Sequence, residues 1–121
     1  MRTKQINIPI YDIGLTLVEI ETKDDYPILE PILDEHKIDV DEKEIIKDFI
    51  EREVLNGGST YGNFALEKML VILYQMNNEE ERRAILNHEK RHVVDRICEF
   101  LSINDIEAPA YLDGYISRYM Y

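Results

Sequence analysis

The stretch that decides the reading is residues 77–102, NNEEERRAILNHEKRHVVDRICEFLS, with His88-Glu89-Lys90-Arg91-His92 at its centre. It contains neither Gly nor Pro, so nothing in it breaks a helix. Asn77 or Asn78 can serve as N-cap, and Glu79, Glu80 and Glu81 put negative charge in the first turn, where the helix dipole favours it. Leu86, Val93, Val94, Ile97, Phe100 and Leu101 form an apolar face at helical spacing. His88 and His92 fall on the opposite side, with Asp95 and Glu99.

The five central residues fit the pattern H-E-x-x-H. Four residues of helix turn through about 400°, so the two imidazoles stand one above the other. Such a pair can hold two corners of a tetrahedral Zn²⁺, and a glutamate beside the first can reach a metal-bound water as general base. The pattern is short, but two of the chain's three histidines fall in it. The competing reading of the same residues is a solvated polar helix face. A cleft above the histidines and a third ligand would decide between the two.

Glu107 is the leading third ligand. Asn104 and Asp105 suit a turn or an N-cap, which puts Glu107 at or near the start of a final helix. Consecutive helices joined by a tight turn pack antiparallel, so that start comes beside the first helix. Two histidines and a glutamate leave one tetrahedral position open, as catalytic zinc sites do. Without a metal, Glu107 is an acid favoured by the helix dipole. Asp95 and Glu99 are the next candidates for the third position.

Beyond the helix the chain runs through residues 104–107 into Ala110-Tyr111-Leu112-Asp113-Gly114-Tyr115, and near its start it carries Ile8-Pro9-Ile10-Tyr11. Together with His88 to His92, these residues resemble the small zincin-like metallopeptidases of phages, prophages and other mobile elements. The likeness covers the last third of the chain well and the first twenty residues loosely. It implies zinc bound by His88, His92 and Glu107, with Glu89 as base. The chain departs from that pattern at Lys90 and Arg91, where small or apolar residues are usual, and at Ile106, where an acid is usual.

The composition fits this scale of protein. At 121 residues the chain makes one domain with a modest core. The net charge of −11 repels phosphate backbones, so no nucleic-acid partner is expected. No apolar run approaches the roughly eighteen residues of a membrane span. No apolar segment follows the basic opening Met1-Arg2-Thr3-Lys4, so no signal peptide is expected. The single Cys98 fits a reducing cytoplasm and reads as a buried, inert thiol.

The rest of the chain predicts an α+β fold. Residues 4–10 alternate as a short strand ending at Pro9, and residues 15–21 read as a second strand. Asp24 or Asp25 caps a helix with Pro27 in its first turn, running toward His36, which reads as an exposed helix-end imidazole. Asp41-Glu42-Lys43-Glu44 opens a further helix, with Ile45, Ile46, Phe49, Ile50 and Val54 on its apolar side and Asn56-Gly57-Gly58-Ser59 at its end. Residues 59–65 read as strand. Residues 68–75 include the most apolar run and fit a buried strand or the start of a helix. The resemblance favours a strand there, beside the metal helix.

Tyr111, Tyr115 and Tyr119 recur every four residues on the final helix. Packing against the preceding helix accounts for them. Tyr111 is the one that could reach a developing oxyanion. The leading expectation is a zinc-dependent hydrolase acting on a peptide or protein. The alternative is a non-catalytic metal-binding or protein-interaction protein of a mobile element.

Overall fold

The computed structural model describes residues 1–9, 11–101 and 107–121. Its elements in chain order are β1 (Arg2–Ile8), β2 (Ile13–Glu19), α1 (Tyr26–Glu35), α2 (Val40–Glu51), β3 (Gly58–Asn63), β4 (Lys68–Leu73), α3 (Glu79–Phe100) and α4 (Glu107–Met120). The fold class is α+β, as the sequence predicts. The four strands form one mixed sheet in the order β1-β2-β4-β3. β2 and β4 run parallel at the centre, and β1 and β3 flank them antiparallel.

β4 settles the strand-or-helix ambiguity at residues 68–75. Met69, Val71 and Leu73 face one core, and Leu70, Ile72 and Tyr74 face another. A strand covered on both sides has no polar face to show, so it reads as an unbroken apolar run. The first core lies under α3 and α4, with Leu86, Val93 and Ile97 fully buried from α3 and Leu112, Ile116 and Met120 from α4. The second lies under α1 and α2, with Leu29 and Leu33 from one and Ile46 and Ile50 from the other. Each such side chain contributes about 1.5–3 kcal/mol by leaving water.

Caps set the helix limits. Asn78 caps α3, its side chain accepting the Glu81 N–H at 2.8 Å. Asp39 caps α2 by accepting the Glu42 N–H at 2.8 Å, so that helix starts before Asp41. Asp25 holds the N-cap position of α1, but its carboxylate turns back to the N–H groups of Glu21 and Thr22 at 2.8 and 3.1 Å. Pro31 lies inside α1.

The structure corrects several sequence expectations. His36 is not an exposed imidazole: it holds the C-cap position of α1 and is 5% exposed. Burial, aided by the charge of Lys68, pushes its pKa below the ordinary imidazole value. Phe100 leaves the apolar face of α3. It is 52% exposed and stacks on Phe64, in the turn between β3 and β4, with ring centroids 4.3 Å apart. Cys98 is half-buried against the first core rather than fully buried, and burial pushes its thiol pKa up, with Asp95 adding to the effect. α2 ends at Glu51, so Val54 lies beyond it. Gly58 opens β3 instead of closing the helix. β1 ends at Ile8, and Ile10 of the expected strand lies outside the described residues. No helix among the described residues is long and apolar enough to cross a membrane.

Candidate metal centre

The site forms where α3 passes beside β3, the strand at one end of the sheet. The approach is close because Gly58 has no side chain. A Cβ there would sit 2.9 Å from Cγ of Glu89 and from Cγ2 of Ile85, and 3.0 Å from Oε1 of Glu89. Two residues further along β3, Thr60 points at the same helix. Its Oγ1 donates to Oε2 of Glu89 at 2.5 Å. Glu89 is only 4% exposed and Thr60 8%, so this charge-assisted bond replaces water at a buried carboxylate.

One residue before and three after Glu89, the helix presents the two imidazoles. His88 and His92 are both exposed, with ring centroids 4.6 Å apart and planes at 84°. Their Nε2 atoms converge to 3.0 Å. Two ring lone pairs cannot face each other at that distance without a proton or a cation between them. Zn–N bonds of about 2.0–2.1 Å at a tetrahedral angle put two ligand nitrogens about 3.3–3.4 Å apart. The imidazole pair fits two such positions after a shift of a few tenths of an ångström.

A cleft of about 300 Å³ lies over this face, lined by β3 residues 58–61 and by His88, Glu89, His92 and Arg96. It is a shallow depression, widely open to solvent. The glutamate sits on its inner wall and the imidazoles at its mouth.

The third ligand is a different matter. Glu107 opens α4, as the sequence predicts, but its side chain and residues 102–106, where the sequence predicts a turn, lie outside what is described. Asp95 and Glu99 are exposed on α3. Among the described residues no group of three or more His, Cys, Asp or Glu side chains comes together to hold a metal. The imidazoles stand there as a pair.

α4 packs along α3 through Lys90, not through the histidines. The Lys90 ammonium reaches Asp113 at 3.0 Å and Ser117 at 2.9 Å. Nearer the end of α4, the Tyr121 hydroxyl donates to the Asn87 side chain, and Lys90 lies 5.6 Å from the Tyr121 ring centroid. The contacts move back toward the start of α3 as α4 proceeds, so the two helices run antiparallel, as expected. Lys90, a departure from the resembled pattern, is thus turned away from the cleft. Tyr111 does not line the cleft. It is 39% exposed, and its ring stacks with Tyr115 at 6.2 Å.

Besides the H-E-x-x-H residues, five residues line the cleft, and the sequence reading placed none of them there. Arg96 had a signal: it lies four residues beyond His92, hence on the same helix face. Thr60 and Gly58 had none, because their roles depend on a strand and a helix meeting across 29 residues of chain. No family model matches the chain, and no curated protein or solved structure matches it either.

Proposed function

We propose that this chain is a zinc-dependent hydrolase that cleaves a peptide or protein at the α3–β3 cleft. The observation that carries the reading is the convergence of two imidazole Nε2 atoms to 3.0 Å in a cleft that also holds a buried glutamate. His88 and His92 would hold Zn²⁺, with Glu107 as the third ligand. The ion, when bound, supplies a Lewis acid that lowers the pKa of water and polarises a carbonyl. Glu89 takes the proton of the attacking water and passes it to the leaving amine. Arg96 lies where it can hold the carbonyl or carboxylate of the bound chain. β3 lines the cleft along residues 58–61, and an extended strand beside the site favours an extended peptide as substrate. The lone thiol of Cys98 supports a cytoplasmic setting, and the resemblance supports an origin in a mobile element.

A second reading has its own observation. The Glu89 carboxylate is nearly excluded from solvent and already bonded to Thr60, as a tie between helix and strand would be. On that reading the histidines hold a metal without catalysis.

Elemental analysis of purified protein tests the common part. About one zinc per chain is expected, with none in a His88→Ala/His92→Ala variant, and full occupancy of that variant overturns the reading. Digestion of a quenched fluorescent peptide library separates the two branches. Hydrolysis by the wild type, lost in Glu89→Gln with zinc retained, supports the enzyme. Zinc with no cleavage supports the second reading.

A further inference from the structure

At the other end of the sheet, β1 and the last two turns of α4 border a second cleft, of about 610 Å³. Its floor is the strand run Lys4 to Asn7, and its wall is Tyr115, Arg118, Tyr119 and Tyr121. Two features separate it from ordinary surface.

The first is charge. The chain carries 25 acids against 14 lysines and arginines. Yet the described residues that line this cleft include Lys4 and Arg118 and neither Asp nor Glu. Among the described residues, neither cation has a carboxylate within ion-pair distance. Most other arginines are paired: Arg2 and Arg82 with Glu19, Arg52 with Asp48, Arg83 with Glu79. A cationic patch on an acidic protein directs an anionic partner to one place.

The second is shape. β1 is an outer strand paired only with β2, so every other residue turns its N–H and C=O to the open side. Residues 2–5 are exposed throughout. Above that edge the tyrosines form a continuous ladder. Tyr115 and Tyr119 lie 5.0 Å apart, and Tyr119 and Tyr121 stay 44% and 41% exposed. A strand edge, an aromatic wall and two cations on one face together suit an extended chain that carries both acids and apolar residues at every second position, the positions that share a face.

We propose that the β1–α4 cleft docks an extended acidic peptide, a segment of a partner protein, as a fifth strand against β1. Its carboxylates meet Lys4 and Arg118, and its apolar side chains lie on the tyrosine wall. The site is independent of the imidazole cleft and stands whether or not zinc binds there.

Fluorescence anisotropy tests it, with the fluorescein-labelled octapeptide Thr-Asp-Thr-Val-Thr-Asp-Thr-Val as the probe, which puts Asp and Val on one face, and its Lys-for-Asp counterpart as control. Micromolar binding of the Asp peptide is expected, at least tenfold weaker in Lys4→Glu/Arg118→Glu and at least fivefold weaker when alternate peptide amides are N-methylated. Both substituted residues are exposed, and unchanged circular dichroism of the variant confirms that it is folded. Amide shifts in NMR spectra should move along β1 and leave β3 still. The proposal is overturned by equal binding of the Lys peptide, by affinity unchanged in the double variant, or by no binding at millimolar peptide. Tighter binding of an octathymidylate, or a dimer in sedimentation that the double variant dissolves, assigns the cleft to another occupant and likewise overturns it.

Discussion

The two end strands of the sheet solve the same problem in opposite ways. An outer strand exposes unpaired backbone groups and must be covered, charged or interrupted. β3 is covered: α3 lies against it, Gly58 admits the helix and Thr60 bonds the buried Glu89. β1 is left open and charged, with Arg2 and Lys4 along it and Pro9 just past its end. One buried acid can therefore fix an edge to a helix while leaving its neighbours on that helix, His88 and His92, free for a ligand. The covered edge is the more costly one to disturb, and substitutions there rank above those elsewhere.

Thr60→Val tests the cover most directly. Valine keeps the shape but removes the one hydrogen-bond donor that Glu89 has among the described residues. A buried carboxylate left without a donor costs about 2–3 kcal/mol. Urea unfolding should show that loss, and Thr60→Ser should recover most of it. A loss under about 0.5 kcal/mol would mean that Glu89 finds water instead and that the edge is not fixed by this bond.

Two glycines set the edges further apart. Gly58→Ala drives a methyl group into Glu89 and Ile85, so about 1–2 kcal/mol of destabilisation is expected by overpacking. Gly14 lies in β2, the strand next to the open edge, opposite Asn7 of β1, and a Cβ there meets nothing within 4 Å. Gly14→Ala should therefore change stability by less than about 0.5 kcal/mol, or raise it slightly. Equal losses in the two thermal melts would erase the distinction between the edges.

His36, outside both edges, supplies the pH dependence. Its folded pKa lies below that of the unfolded chain, about 6.5, because burial disfavours the charged ring. The unfolded chain therefore takes up the proton first. The stability contribution is complete above about pH 6.5 and is lost as pH falls from there toward the folded value. Between about pH 7 and pH 5, wild-type stability should fall relative to His36→Gln, with a slope below about 1.4 kcal/mol per pH unit. Parallel stability curves for the two proteins would show that the ring does not titrate differently on folding.

What the sequence could show follows from the range of each signal. Helical periodicity and caps are local, so α3, its N-cap and the imidazole face were readable from residues 77–102 alone. The α+β class was readable because the alternation at β1 and the strand-forming residues of β2 are local too, whereas the apolar run at β4 fitted a strand or a helix alike until its two covered faces were seen. His36 was misjudged because its burial comes from packing at the end of α1 beside Lys68, which no neighbour in sequence announces. Phe100 fitted the helical period but stacks on Phe64, a partner 36 residues away. Within the site, the pair of histidines was local and visible, whereas the Thr60 bond to Glu89 and the gap at Gly58 appear only once β3 meets α3.

Lys90 connects the two edges, since it links the helix at the covered one to the helix that walls the open one. In the resembled pattern its position is small or apolar, so its charge invites the reading that the metal motif is spoiled. In the structure it joins α3 to α4 instead. Its side chain is 13% exposed, and its ammonium reaches Asp113 and Ser117 on α4. Asp113 is 54% exposed, so solvent screens the pair and its worth is about 0–1 kcal/mol. The four-carbon stem packs between the helices, and methionine can replace it with little loss of volume. Lys90→Met should therefore cost less than about 1 kcal/mol in urea unfolding and leave zinc stoichiometry unchanged. The β1–α4 cleft should keep its peptide affinity within about twofold, because Lys4 and Arg118 carry its charge. Loss of zinc in Lys90→Met would place the side chain in the imidazole cleft after all and undo the separation of the two edges.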